Sequence, residues 1–181
     1  MAIRNVRTDG DPILRKKSRE VEAIDDKIKL LIGDMKETMK ESDGVGLAAV
    51  QVGMLKRIIV VDPYADEDEE PIKLPFEYEG PFALINPEIL ETSGSEVVLK
   101  EGCLSVPNTE GYVKRPEKAR IKALDENFEP LEFDADGYLA RIIFHEVDHL
   151  NGILFTDKLV NVSKAEPKTK SNKSKKAKVR R

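Results

Sequence analysis

The sequence predicts an α+β domain: short, mostly antiparallel strands packed around a central helix, with another helix near the N-terminus. Three observations carry this. Apolar residues recur at helical spacing over Asp25–Ser42 and again over Tyr138–Leu150. Between these segments lie short apolar runs ended by Gly, Pro, Asn and Asp, the pattern of strands and turns. The strands precede the second helix as a block instead of alternating with helices, which favours α+β over a doubly wound sheet.

Taken in order, Asp11-Pro12-Ile13-Leu14 predicts a short turn or helix with Pro12 in its first turn. In the long helix that follows, Ile28, Leu31, Ile32, Met35 and Met39 form one core-facing stripe. Asp25 or Asp26 caps its start and Asp43-Gly44 ends it. The stretch from Gly44 to Gly53 is too rich in Gly and Ala for an ordinary strand or helix. Small residues there let the backbone approach a neighbour or a ligand closely. Its spacing is neither G-x-G-x-x-G nor the phosphate-loop pattern with its Lys, so a nucleotide-phosphate site is rejected. Arg57–Asp62 reads as a buried strand. Pro63–Pro81 is an irregular insertion with an acidic run at Asp66–Glu70; a solvated loop is expected, because no calcium-loop pattern is present.

Further strands are expected at Phe82–Ile85, near Ile89–Glu91, and at Glu96–Lys100, Tyr112–Lys114, Ala119–Leu124 and Pro130–Phe133. Asp125-Glu126-Asn127 reads as a hairpin turn between the last two. Gly137 opens the second helix, whose Leu139, Ile142, Ile143 and Leu150 supply an apolar face. Asn151-Gly152 is a stop signal, and Ile153–Val160 is left as a closing strand or loop.

Composition divides the 181-residue chain in two. From Asn161 onward there are nine basic residues and one acidic residue, whereas the preceding 160 residues carry a net charge of −12. Residues 1–160 are therefore expected to form one compact domain and 161–181 a basic tail that is disordered in isolation. The chain has no apolar run long enough to span a membrane. Its opening residues lack the apolar segment of a signal peptide. One cysteine precludes an intramolecular disulfide, and the expected compartment is the reducing cytoplasm.

The chemistry concentrates at His145-Glu146-Val147-Asp148-His149. On a helix the two imidazoles lie one turn apart on the same face, which suits two corners of a metal site. Glu146 can reach a water at such a site without ligating the metal. These are the only two histidines, so a third ligand must be Cys103 or a carboxylate. The metzincin pattern would need histidine at position 155, which is Phe155. Downstream acids are few, Asp157 and Glu166, the latter within the basic tail. Cys103 remains, and a Cys-His-His site with one open position follows.

Three stretches together resemble the peptide deformylase family, metalloenzymes that remove the N-formyl group from the initiator methionine of new polypeptides. They are Gly44-Val45-Gly46-Leu47-Ala48-Ala49-Val50-Gln51, Glu101-Gly102-Cys103-Leu104-Ser105 and His145 to Gly152, and the similarity runs from about Ile3 to Leu159. The resemblance implies that Cys103, His145 and His149 hold one divalent ion, typically Fe2+, with Zn2+, Ni2+ or Co2+ able to replace it. It implies Glu146 as the proton carrier, and the Gln51 side chain with the Leu104 backbone N–H as donors to the formyl oxygen. The Gly46 backbone would pair with substrate main chain, and Val45, Leu99, Ile142 and the His145 ring would line the methionine pocket. Glu101 and Arg115 would form a supporting ion pair, and Asp148 would support the site without ligating.

The chain also departs from the family pattern. Phe144 stands where relatives usually carry Gln, and Glu110 where many carry Arg. The 63–81 loop is longer than in compact relatives. The tail shows no apolar stripe, so contact with ribosomal RNA through its basic residues is one expectation and a solubilising tail the other. Two other classes compete with a deformylase. One is a peptidase on the same ligand set; the other is a non-catalytic metal-binding relative tethered to RNA, although no fourth protein ligand is evident.

Overall fold

The computed structural model describes residues 2–62, 74, 76, 78, 80–93 and 95–161. Helix α1 spans Asp26–Glu41 and helix α2 spans Gly137–Leu150. The strands are β1 (Gly46–Ala48), β2 (Ile58–Val61), β3 (Phe82–Thr92), β4 (Glu96–Cys103), β5 (Val106–Pro116), β6 (Lys118–Leu124) and β7 (Pro130–Asp136). Every strand pairing within these elements is antiparallel. Five strands form one sheet in the order β1-β2-β3-β6-β7, while β4 and β5 form a separate two-stranded arm.

The apolar pattern of β2 explains the layering. Ile58 and Val60 pack with Leu31, Ile32, Met35 and Met39 of α1, whereas Ile59 and Val61 pack with Leu139, Ile142, Ile143 and Val147 of α2. A strand covered on both faces must be apolar at every position, which is why Ile-Ile-Val-Val does not alternate with polar residues. The sheet is thus sandwiched between the helices. A third cluster, Leu14, Val106, Val113, Leu154 and Phe155, lies under the arm and touches Cys103.

The helix ends follow sequence chemistry. The Asp25 carboxylate accepts the Ile28 N–H at 2.8 Å and so caps α1, a contact worth about 0.5–2 kcal/mol. At the end of α2 the Gly152 N–H donates to the His149 carbonyl and the Ile153 N–H to the Asp148 carbonyl. This two-bond cap needs a left-handed residue, and Gly152 supplies it with φ +76°. A Cβ on Gly152 would meet the Arg15 carbonyl at 2.6 Å, because the short 3-10 turn Pro12–Arg15 docks there. The Ser18 N–H donates to the Leu150 carbonyl beside it at 2.8 Å.

Several elements differ from expectation. The two strands expected at Phe82–Ile85 and near Ile89–Glu91 are one strand, β3, carried through two register shifts. Asn86 takes φ +52° at the first, and its side-chain amide bonds both the N–H and the carbonyl of Val21. Pro87 is tolerated because it falls at this irregularity. The Gly/Ala-rich stretch splits into the three-residue β1 and a 3-10 turn, Ala49–Val52. Ile153–Val160 contains a 3-10 turn at Phe155–Lys158, then bridges Leu159 to Val113 of β5. The expected solvated loop at 63–81 is anchored near its end: Phe76 packs edge-on to Phe82 and Phe133, and Tyr78 packs on Phe82. The acidic run 66–70 and the tail from residue 162 lie outside the described residues.

Candidate metal centre

Cys103 ends β4, and His145 and His149 project from one face of α2. One donor atom from each of the three lies within 4.8 Å of the others. Cys103 Sγ is 3.2 Å from His149 Nε2. The Nδ1 of His145 donates to Glu101 Oε2 at 3.0 Å, which leaves its Nε2 as the donor toward an ion. A thiolate and two imidazoles fit a transition-metal cation, and among the described residues no fourth protein ligand joins them.

Glu146 lies beside this set, buried to 4% exposure. Burial pushes its carboxyl up to about 7 against the pull of His145 and Arg115. Its Oε2 and the Nδ1 of His149 are buried and have no hydrogen-bond partner among the described residues. A carboxyl titrating near neutrality beside a donor set is suited to taking up and releasing a proton. Gly46 makes the approach possible, since a Cβ there would sit 2.5 Å from Glu146 Oε1 and 2.8 Å from Ile142 Cγ2.

Gln51 is fully buried and oriented from two sides. Its Oε1 accepts the Ala48 N–H at 2.7 Å, which turns its NH2 inward. Nε2 then donates to Ser105 Oγ at 3.1 Å and points at Cys103 Sγ, 3.7 Å away. Gln51 therefore both caps the loop and presents a neutral donor to the site. The Ser105 N–H donates to Cys103 Sγ at 3.4 Å.

Behind the histidines lies a buried ionic network. Glu101 accepts Arg115 Nε at 2.6 Å and Nη2 at 2.9 Å, and Arg141 Nη1 at 2.8 Å, in addition to His145. Burial opposes its ionisation, yet the bonds from Arg115, His145 and Arg141 hold the carboxyl well below the usual range. Arg115 Nη1 also donates to Asp148, which receives Lys158 Nζ at 2.7 Å. Asp148 supports the network and stands apart from the Cys103, His145 and His149 donors, and the Glu101–Arg115 pair is buried, not solvated. Burial opposes charge on His145 as well, but Cys103 and Glu101 raise its pKa to about 10. Burial and the facing charge of His145 push His149 well down.

The site opens into a cleft of about 1030 Å³. Val45, Gly46, Gln51, Cys103, Leu104, Ile142, His145 and Glu146 all line it. Leu99 does not: it lies on β4 with 44% of its surface exposed, outside the lining set. Phe144 faces the core with Leu139 and Ile143, so no polar contact replaces the family's usual Gln. Glu110 sits on the cleft wall and pairs with Lys100. Sequence reasoning missed Arg141, Ser105 and Lys158. The signal for Arg141 was an arginine one turn before His145 on an otherwise apolar helix face.

A sulfur–imidazole donor set beside a buried carboxyl, lining an open cleft, defines a metal-dependent hydrolase. The family model described as polypeptide deformylase matches residues 3–165. Peptide deformylase 1 of Clostridium acetobutylicum is 54% identical over 159 residues, covering 88% of this chain and 96% of that protein. The peptide deformylase of Finegoldia magna is 48% identical over 172 residues, covering 95% and 99%. Among solved structures, a deformylase from Ehrlichia chaffeensis in complex with actinonin superposes with TM-score 0.79 at 43% identity, covering 88% of this chain and 90% of that one. The chain belongs to the polypeptide deformylase family.

Proposed function

We propose that this chain hydrolyses the N-formyl group of formylmethionyl polypeptides, releasing formate and a free amino terminus. The observation that carries this reading is the convergence of Cys103, His145 and His149 beside buried Glu146 in a cleft, in a member of this family. Cys103, His145 and His149 would hold one divalent ion, Fe2+ by family resemblance, with Zn2+, Ni2+ or Co2+ as substitutes. When bound, such an ion supplies Lewis acidity toward water and the formyl oxygen.

The remaining chemistry belongs to the protein's own groups. Glu146 accepts the proton of the attacking water and returns it to the departing amine; burial sets its pKa, about 7, near the working pH. Gln51 Nε2 and the Leu104 backbone N–H donate to the oxygen on which charge develops, a role worth about 3–4 kcal/mol per donor in comparable sites. The peptide binds as an added strand at β1, which is the edge of its sheet, with Gly46 pairing its main chain. Val45 and Ile142 contact the methionine side chain. Backbone recognition tolerates varied sequence beyond it.

The test is formate release from a formyl-Met peptide by anaerobically purified, metal-containing protein, alongside Glu146→Gln. Formate from the wild type and a loss of at least about 10²-fold in kcat for the variant are expected. An inactive wild type removes the deformylase reading, and an active variant removes the role of Glu146. We further propose that residues 1–160 form a cytoplasmic catalytic domain and that the basic segment 161–181 contacts ribosomal RNA. Ribosome co-sedimentation at low salt that is unchanged by deleting 161–181 would exclude that contact.

A further inference from the structure

The three donor atoms come from two separate bodies. Cys103 ends β4 of the β4–β5 arm, whereas both histidines belong to α2, and among the described residues the arm shares no strand pairing with the five-stranded sheet. The ligand geometry therefore depends on whatever fixes the arm against the helix. Arg115 of β5 ties the arm to Asp148 of α2, and among the described residues of α2 Arg141 is the side chain that bonds backbone of both strands of the arm. It sits four residues before His145 on α2, buried to 6% exposure. Its Nη2 donates to the Val97 carbonyl of β4 at 2.7 Å, and its Nη1 to the Val113 carbonyl of β5 at 3.0 Å. The same Nη1 reaches Glu101 Oε1 at 2.8 Å, and the other oxygen of that carboxylate holds His145 Nδ1.

Neutralising Glu101 does not require Arg141. In the buried network Glu101 and Asp148 are balanced by Arg115 and Lys158, and Arg115 alone grips both oxygens of Glu101. What Arg141 adds is geometric. A planar guanidinium with fixed donor directions holds two carbonyls and a carboxylate together, which a point-charge ammonium cannot do. We propose that Arg141 is a positioning residue: it straps the Cys103-bearing arm to the metal helix and, through Glu101, sets the orientation of the His145 ring. The inference rests on the metal-site reading above and deepens it.

The experiment uses the full chain loaded with Co2+, as wild type, Arg141→Met and Arg141→Lys. Three readouts are taken: the cobalt ligand-field absorption, the rate of metal loss to excess chelator, and kcat and KM for a formyl-Met peptide. A strap predicts that Arg141→Met loses metal about 10–100-fold faster with displaced absorption bands, and that kcat falls more than KM changes. Arg141→Lys keeps the charge and stem and is expected to recover folding but not the wild-type spectrum or release rate. Should Arg141→Met fail to fold, the lysine variant decides. Wild-type spectrum and release rate in Arg141→Lys, or in a folded Arg141→Met, would overturn the proposal. Metal release and spectrum need no turnover, so an inactive wild type would sink the deformylase reading without deciding this one.

Discussion

Replacing Gly46 with alanine puts a methyl where no room exists. The added Cβ would lie 2.5 Å from Glu146 Oε1 and 2.8 Å from Ile142 Cγ2. An ordinary carbon–oxygen contact needs about 3.4 Å, so the carboxylate must retreat by about 0.9 Å, or β1 must lift off α2. The two responses have different signatures. If Glu146 moves, a displacement near 1 Å in the proposed proton carrier costs about 10²-fold in kcat, with little change in stability. If β1 moves, the cost is an overpacking penalty of about 1–3 kcal/mol. For a chain of this size that lowers Tm by about 2–4 °C per kcal/mol. KM then rises because the substrate-pairing edge shifts. Steady-state formate release, thermal melting and metal content on the same preparation separate them. Glu146 ends in a flexible carboxyl while Ile142 is branched and packed, so loss of kcat is expected to dominate. A variant with kcat/KM within about threefold of wild type and unchanged Tm would refute the close approach and the placement of Glu146.

Two more outcomes follow from named contacts. Asp34 accepts the Ala2 N–H at 2.7 Å and Arg4 Nε at 3.0 Å, and these bonds hold its carboxyl below the ordinary 3.8 despite opposing burial. A depressed folded pKa stabilises fully above the unfolded value and fades as pH falls through the folded one. Asp34→Asn should thus lose about 1–3 kcal/mol in urea unfolding at neutral pH, with the difference shrinking in strong acid; a pH-independent difference would contradict this. Glu110 pairs with Lys100 on the exposed cleft wall. Glu110→Arg should shift relative kcat/KM toward formyl-Met-Ala-Glu over formyl-Met-Ala-Lys by up to about fivefold, less at high salt, and no shift would mean these charges do not reach the peptide.

The parts of the molecule that were legible in sequence are those in which one residue type has few other uses. Two histidines one turn apart, a glutamate between them and a lone cysteine left little choice of donors. The structure brings those three donors together. Helices α1 and α2 were readable because their apolar stripes and end residues agree. What stayed hidden depends on the third dimension. Nothing local shows that Asn86 adopts a left-handed turn and carries β3 onward, because its partner is Val21, 65 residues away. Leu99 is apolar, as a pocket residue would be, but it stands exposed on β4 outside the cleft lining, which only the folded structure shows. Arg141, Ser105 and Lys158 are polar residues whose partners lie on other elements. Arg141 alone left a trace, as a charge placed on an apolar helix face. For Phe144 the sequence left two readings, a missing polar contact or a core-facing position, and its place among Leu139 and Ile143 decides for the core.

The docking of the Pro12–Ser18 segment against the end of α2 bears on how the enzyme acquires its site. Arg15 pairs with Asp157 across a sequence separation of 142 residues, and Ser18 closes on Leu150, directly after His149. Contacts of such high order are costly to form early in folding. During vectorial synthesis the N-terminal segment emerges first, but its contacts with Leu150 and Gly152 wait until α2 and the turn after it have been made. Strands and α1 can collapse before then; the left-handed cap at Gly152, and with it the exact seating of His149, cannot be completed. Assembly of the metal-binding end is thereby coupled to closure of the chain, so a polypeptide stalled before residue 153 would hold neither the finished cap nor the Arg15 pair. Competence for metal capture should appear late and together with protection of the Ser18 and Gly152 amides in pulse-labelled hydrogen exchange.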